Sequence, residues 1–242
     1  MPWAPIDKPT EILEEYLRLA EQKAGPATWK RTKGFRFLLQ GILDQHVFER
    51  LMLSEHFIAN LQLLGKRGFS FDIGVDQNSA GVWQLEASAD AMKRAHDGVS
   101  ESEKVGFIIN HLCKPDFSGE TSRTNSPQRW RDAISSMAQC SKTYMKLSGA
   151  FSELRPGFDS SEDVANHIRP WLKHVFDTFG PNRVMFGSDW PVCNVKGPRG
   201  EESWSAWKDV VEFILANHSY DLKPSEIERI WSGTAAEAYK LC

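Results

Sequence analysis

The chain has 242 residues, of which 41% are hydrophobic and 25% are charged, and its formal net charge is −3. This composition is typical of a folded protein with one large apolar core, and it argues against disorder. No run of lysine and arginine marks a surface for nucleic acid or for an acidic membrane, so neither partner is expected.

The cysteines indicate a reducing compartment, because none of the four has a metal-type CxxC spacing and a chain of this length needs no disulfides. They are Cys113, Cys140, Cys193 and Cys242. No stretch approaches the roughly 20 apolar residues of a membrane span, and the N-terminus has no signal-peptide pattern. We therefore expect a cytosolic protein.

The predicted elements alternate between helices and strands. A helix-period stripe predicts a helix from Thr10 to Ala24, ended by Gly25-Pro26. Strands are predicted at Lys33–Gln40, Phe69–Val75, Val105–Asn110, Tyr144–Leu147 and Arg183–Gly187. Helices are predicted after them, at Ser54–Leu64, Val82–Ala95, Pro127–Ala138, Glu162–Phe179, Ser203–Asn217, Pro224–Trp231 and Ala235–Leu241.

This alternation predicts a parallel sheet covered by helices, since parallel neighbours need a crossover connection. A doubly wound sheet and a closed barrel both satisfy the pattern. No GxGxxG and no GxxxxGK[ST] occurs, so nucleotide-binding sheets have no support. Polar residues at the strand ends favour the barrel, because those ends share one mouth where active sites are built.

Two strand-end residues stand out as candidates for chemistry. His111 follows an apolar run, and the run alone weighs a ligand or acid–base role equally against a structural histidine. Asp189 lies between Gly187 and Pro191 and next to Trp190, which we expect to restrict water. A carboxylate in that position can have a raised pKa and act as a base.

The remaining polar candidates are weaker. Asp72 is interpreted as an ordinary strand-end residue, because its sequence neighbours offer no partner chemistry. His167 and His174 are two helical turns apart, too far to share a metal, which favours a solvated helix face. The other histidines, His46, His56, His96 and His218, have no second ligand at i+2 or i+4.

Five segments in chain order resemble the amidohydrolase-related proteins of the fuconolactonase and rhamnonolactonase type. The matching segments are Gly34-Phe35-Arg36, Phe71-Asp72, Asn110 to Pro115 (NHLCKP), Lys146-Leu147-Ser148-Gly149, and Phe179 to Cys193 with its GSDWP core. The resemblance runs along nearly the whole chain. It implies a (β/α)8 barrel that binds a small molecule.

Specific roles follow from this resemblance, residue by residue. Asp189 would be the general base that activates water for opening a sugar-acid lactone, and His111 would contact the substrate or a metal. Arg36 would bind the substrate, with Lys146, Lys114 and Trp190 as further substrate contacts. The resemblance also implies a divalent metal, zinc or manganese, for which His111 and Asp189 form a partial site.

The chain departs from the family pattern in three places. Phe37 stands where relatives often carry histidine, and Cys113 replaces a usual glycine. The His-x-His pair of the first strand is missing, while Trp3 to Ile6 resembles the end of the third strand. We therefore predict a single domain over residues 1–242, an α/β TIM-type (β/α)8 metal-dependent hydrolase barrel that lacks its first two to three strands. Metal would be weakly bound or absent, and we expect little or no hydrolase activity, even with added divalent metal.

Two other functions stay open at this point. A decarboxylase, a carbon–carbon lyase of the same superfamily, would use the same histidine and aspartate on an aromatic or enoic acid. A catalytically silent remnant would act as an interaction protein. The open edges of an incomplete barrel make a homo-oligomer a further expectation.

Overall fold

One parallel sheet organises the fold, as seen in a computed structural model that describes residues 1–122, 125–154, 157–216 and 220–241. Within these ranges it has five strands: β1 (Gly34–Arg36), β2 (Ser70–Ile73), β3 (Gly106–Ile109), β4 (Thr143–Leu147) and β5 (Val184–Phe186). They pair in chain order, each parallel to the next. Two residues named in the sequence interpretation, His218 and Cys242, lie outside the described ranges, as does Asn217 at the end of a predicted helix.

The segment at Trp3 extends the sheet beyond β1. Trp3 forms a parallel bridge with Arg36, whose amide donates to the carbonyl of Pro2 at 2.9 Å. The amide of Ala4 donates in turn to the carbonyl of Arg36 at 3.2 Å. This segment therefore lies where its resemblance to a strand end predicts it, beside β1.

Helices connect and cover the strands. They are α1 (Thr10–Trp29), α2 (Gln45–Met52), α3 (Glu55–Lys66), α4 (Trp83–His96), α5 (Pro127–Ala138), α6 (Ser161–Phe179), α7 (Val192–Lys196), α8 (Ser203–Ala216), α9 (Pro224–Glu228) and α10 (Thr234–Ala238). Side-chain caps fix several helix starts: Ser126 accepts from Arg129 at α5, and Ser160 forms a capping box with Asp163 at α6. The predicted stop at Gly25 is a break, at φ 75°, after which a further turn follows.

The sheet has two distinct faces because side chains alternate along each strand. On one face Phe71, Ile73, Phe107 and Ile109 join the main core with the helices. On the opposite face, which we call the inner face, Ile108, Tyr144 and Met185 form a smaller cluster with Ala238 of α10. The prediction of a parallel sheet covered by helices is thus confirmed.

The end of the chain lies against this inner face. The carbonyl of Ala238 accepts a hydrogen bond from Ser70 Oγ at 3.2 Å, and Tyr144 donates to Glu237 at 2.9 Å. Tyr239 donates to Asp72 at 3.2 Å. The C-terminal helix therefore reaches the polar residues that β2 presents on this side.

The predicted solvated face of α6 is only partly correct. His167 is exposed and packs its ring 5.0 Å from that of Phe158. His174 is half-buried, and its Nε2 lies 3.0 Å from Ser135 Oγ and 2.9 Å from the carbonyl oxygen of Arg131. His174 is therefore a packing residue between α5 and α6.

A search for membrane-spanning helices among the described residues finds no candidate of sufficient length and apolar character.

Candidate active site

The carboxyl ends of the strands meet in one cleft of about 340 Å³. This is where parallel βα units place their strand ends and where barrel enzymes carry their sites. The cleft brings together the polar residues Arg36, Asn110, His111, Lys146, Ser148, Asp189 and Tyr239, with Trp190 at its rim. Four residues singled out from the sequence, Arg36, His111, Lys146 and Asp189, therefore share one cavity.

His111 and Asp189 form the central pair of the cleft. His111 Nε2 lies 3.2 Å from Asp189 Oδ1, and its Nδ1 lies 2.8 Å from Ser148 Oγ. A neutral imidazole that donates from Nε2 and accepts at Nδ1 satisfies both contacts. The second oxygen of Asp189, Oδ2, is buried and has no hydrogen-bond partner among the described residues.

Burial controls the ionisation of both groups. Burial, together with the nearby cations Lys146, Lys114 and Arg36, lowers the pKa of His111 to about 3. Burial also raises the pKa of Asp189 to about 6, against the opposing effect of Lys114 and Lys146. At neutral pH the pair is therefore a neutral imidazole beside a carboxylate of raised basicity.

Lys146 is held over the inner face by three neighbours. Its ammonium donates to Asn110 Oδ1 at 2.7 Å and to Asp72 Oδ2 at 3.2 Å, and it lies 5.5 Å from the ring centre of Tyr239. Asp72 is 3% exposed. The interpretation of Asp72 as a strand-end residue without partner chemistry is therefore wrong: it anchors a cation of the cleft.

Arg36 supplies a second cation with spare donors. Its guanidinium lies 4.9 Å from the ring centre of Trp3, and Nε is buried without a hydrogen-bond partner among the described residues. A buried donor without a partner costs free energy unless a ligand accepts from it. Arg36 is therefore suited to an oxygen-rich ligand in the cleft.

The turn that carries His111 has an unusual backbone. Four consecutive residues, His111, Leu112, Cys113 and Lys114, have φ values of 55°, 55°, 59° and 45°. Each residue with a side chain pays about 1–2 kcal/mol for this left-handed conformation. The φ of Cys113 gives a physical reason for the glycine that the resemblance associates with this position.

Three other residues lie differently from what their sequence context suggests. Lys114 does not line the cleft, because its ammonium lies between Asp76 and Glu153, at 3.5 and 3.3 Å. Trp190 lines the rim but is 67% exposed, so the burial of Asp189 comes from other neighbours. Phe37 packs half-buried against the main core.

Sequence comparison places this arrangement among known proteins. A family model described as "Amidohydrolase" matches residues 2–241. The chain belongs to the amidohydrolase family. An L-rhamnono-gamma-lactonase of Scheffersomyces stipitis is 32% identical over 249 residues, covering 100% of this chain and 68% of the relative. An L-fucono-1,5-lactonase of Burkholderia multivorans is 29% identical, covering 94% of this chain and 70% of the relative.

A solved structure agrees with the fold of this amidohydrolase. It is the crystal structure of an amidohydrolase from Burkholderia multivorans with bound zinc, which matches at a TM-score of 0.72 and 26% identity. The match covers 99% of this chain and 72% of that chain. The predicted α/β fold of the TIM-barrel type is confirmed.

The zinc of that relative raises the question of whether the described residues could hold a metal. Catalytic zinc has three protein ligands as a rule. His111 and Asp189 are two ligand-type side chains in the cleft, and the described ranges contain no group of three or more His, Cys, Asp or Glu suited to a metal ion. Arg36 and Lys146 add positive charge to the same cavity. The described donor set does not fit a catalytic zinc.

Three residues in or beside the cleft escaped the sequence interpretation of the site. Asn110 and Tyr239 line the cleft, and Asp72 accepts a hydrogen bond from the ammonium of Lys146. For Asp72 a signal existed, because alternation puts it on the face opposite Phe71, away from the helices. For Tyr239, which directly follows α10, none existed, since nothing in the neighbouring sequence indicates that this residue contacts β2.

Proposed function

We propose that this amidohydrolase opens a sugar-acid lactone by hydrolysis, with Asp189 as the general base. One observation carries the proposal. Asp189 Oδ2 is buried and has no hydrogen-bond partner among the described residues. The cleft that it faces is also lined by two cations, Arg36 and Lys146. The lactonase activity named for the two curated relatives supports the substrate class.

The reaction follows from these groups. Asp189 Oδ2 takes a proton from water while the water oxygen attacks the lactone carbonyl carbon. The negative charge that develops on the carbonyl oxygen is stabilised by Lys146, while Arg36 binds the substrate. The tetrahedral intermediate collapses, the ring C–O bond breaks, and the leaving alkoxide receives the proton from Asp189. The product is the open hydroxy acid.

His111 acts in this scheme as a neutral hydrogen-bond donor. Its Nε2–H donates a hydrogen bond to Asp189 Oδ1, which keeps Oδ2 directed at the attacking water. Because the pKa of His111 is about 3, the imidazole stays neutral at the pH where Asp189 is ionised. His111 therefore orients the base and does not compete for the proton.

The test is ring opening across a panel of aldonolactones, followed by acid release, with Asp189→Asn. The amide cannot accept the proton, so we expect kcat to fall by about 10²–10⁴-fold. Asp90→Asn is the matched control, since Asp90 is a partly exposed helix residue that pairs with Arg94 and does not line the cleft. An Asp189→Asn protein with wild-type kcat on its best lactone would exclude Asp189 as the base.

Two further assays distinguish the other functions. Release of carbon dioxide from an aromatic carboxylic acid, without lactone opening, would support a decarboxylase. Metal content of the purified protein, together with assays with added zinc or manganese, tests the expectation that a divalent metal is weakly bound or absent at the two ligands His111 and Asp189. A folded protein inactive in every arm would support the silent remnant.

A further inference from the structure

The left-handed turn at residues 111–114 is supported from outside its own sequence. Trp130 Nε1 donates to the carbonyl of Leu112 at 3.2 Å. The amides of Gln77 and Asn78 donate to the carbonyls of Cys113 and Lys114, each at 3.1 Å. The loop after β2 is thus docked on the turn that follows β3.

A buried ionic cluster lies at the end of this turn. The ammonium of Lys114 is 3.5 Å from Asp76 Oδ2 and 3.3 Å from Glu153 Oε1, and all three side chains are less than 10% exposed. Glu153 Oε2 accepts from Asn78 Nδ2 at 2.8 Å, and Asp76 Oδ1 accepts from the amide of Ser79 at 2.8 Å. The cluster therefore ties together the loops that follow β2, β3 and β4.

The His111 ring depends closely on the path of this turn. It packs against Gly149, where an added Cβ would lie 2.7 Å from His111 Cβ and 3.0 Å from Cγ. The ring has no room on that side, so its direction is fixed by the backbone that carries it. A turn that relaxed toward right-handed φ values would move the ring away from Asp189 and Ser148.

We propose that Lys114, Asp76 and Glu153 form a positioning unit, which keeps the 111–114 turn left-handed and thereby directs the His111 ring at Asp189. None of the three lines the cleft, so they do not touch the substrate, and their positioning effect reaches the reaction through His111. A buried ammonium needs its carboxylates, and loss of one partner shifts Lys114 and the turn attached to it. The catalytic consequence rests on the proposed function; the geometric one does not.

Glu153→Gln and Asp76→Asn test the unit while keeping side-chain shape. We expect each to lower kcat on the best aldonolactone by about 10- to 100-fold, because misplacing a catalytic group by about 1 Å costs up to that much. KM should stay within about twofold, since substrate contacts are untouched. The double variant should lose little more than either single variant, as expected for residues that act as one unit.

Glu86→Gln is the matched control. Glu86 also pairs with a cation, Arg129 at 2.7 Å, and both side chains are more than 40% exposed. It should leave kcat and KM unchanged. Variants at Glu153 and Asp76 that raise KM at constant kcat would overturn the proposal, because Lys114 would then serve substrate binding directly.

A second readout needs no activity. In protein with ¹⁵N-labelled histidine, the His111 ring should show one neutral tautomer, protonated at Nε2; comparison with His111→Gln assigns its signals. Glu153→Gln and Asp76→Asn should shift these signals toward mixed tautomers, and Glu86→Gln should not. Wild-type ring signals in both variants would refute the positioning role.

The two readouts separate the two proposals. If the wild-type protein opens no lactone, the kinetic arm rejects the proposed function, and the imidazole signals alone decide the positioning role. If Glu153→Gln does not fold, Asn78→Ala removes only the donor at Glu153 Oε2 from an exposed residue. That variant should shift the His111 signals in the same direction to a smaller extent, and unchanged signals would overturn the proposal.

Discussion

The ionisation of Asp189 sets the pH range in which the cleft can accept a proton from water. With its pKa raised to about 6 by burial, the carboxylate is ionised above that pH and protonated below it. We expect kcat/KM to fall as the pH drops through about 6, approaching tenfold per unit below it. His111 should add no second limb there, because the pKa of His111 is about 3.

The measurement is a profile of kcat/KM from pH 4.5 to 8 with EDTA present, so that Asp189 titrates as a free carboxylate. Lys146→Met should move the midpoint upward, since the ammonium of Lys146 lowers the pKa of Asp189. A flat profile between pH 5 and 7 would contradict the assignment of Asp189 as the base.

Replacing Arg36 should affect KM more than kcat. Its guanidinium has a free buried donor, and a contact made equally to substrate and transition state changes binding alone. We expect Arg36→Ala to raise KM by about 10-fold or more with a smaller effect on kcat, measured by steady-state kinetics. The exposed Arg18→Ala is the control, since Arg18 pairs with Glu15 on the surface of α1. An equal drop in kcat and kcat/KM would instead assign Arg36 to the transition state.

At the scale of elements, the strand–helix alternation was predictable because buried strands and amphipathic helices have distinct apolar periods. Pro127–Ala138 is found with its predicted bounds. The helix α2 was missed because it has eight residues and is separated from α3 by Leu53 and Ser54 alone. The helix α7 was missed because five residues are too few to show a helical period of apolar positions. Four of the five strands are shorter than predicted, since their apolar runs continue into the turns, whereas β4 begins one residue earlier than predicted, at Thr143.

Close helix packing gives an element-scale prediction at Gly65. A Cβ there would overlap the carbonyl oxygen of Glu103 and lie 2.5 Å from the amide nitrogen of Val105. Because these atoms are backbone, the loop before β3 must shift away from α3. We expect Gly65→Ala to lower the free energy of unfolding in urea by about 1–3 kcal/mol.

Gly233→Ala is the control for this substitution. The atoms nearest to an added Cβ there belong to the flexible Arg229 side chain, at 3.4 Å and beyond, and the backbone is already helical. Alanine at this position should either raise the free energy of unfolding or change it by less than about 1 kcal/mol. Equal losses in the two variants would show that backbone contact at Gly65 is not the cause.

At the scale of the whole molecule, the inner face joins the C-terminal helix to the cleft. The link runs from Tyr239 through Asp72 to Lys146, and its first two members are 167 positions apart in the chain. No local sequence pattern encodes such a contact. The long-range part of the site therefore required the structure, whereas strand-end residues such as Asp189 could be found from their place in the alternation.

Removing one hydroxyl tests this link. In Tyr239→Phe, Asp72 Oδ1 loses its donor while the carboxylate stays buried, which should cost about 1–3 kcal/mol in the free energy of unfolding. Tyr16→Phe is the control, because Tyr16 donates to the carbonyl of Trp3 at an exposed position where water can replace it. A Tyr239→Phe protein as stable as Tyr16→Phe would show that the contact adds nothing.

The covering of the inner face by α10 also bears on how the chain is made by the ribosome. Each strand pairs with the next one synthesised, so the sheet can grow during translation without waiting for distant sequence. The inner-face cluster of Ile108, Tyr144 and Met185 is different, because its partner Ala238 is translated long after all three. During that interval the nascent sheet exposes an apolar surface to other chains, which makes the partly synthesised protein a natural client for chaperones.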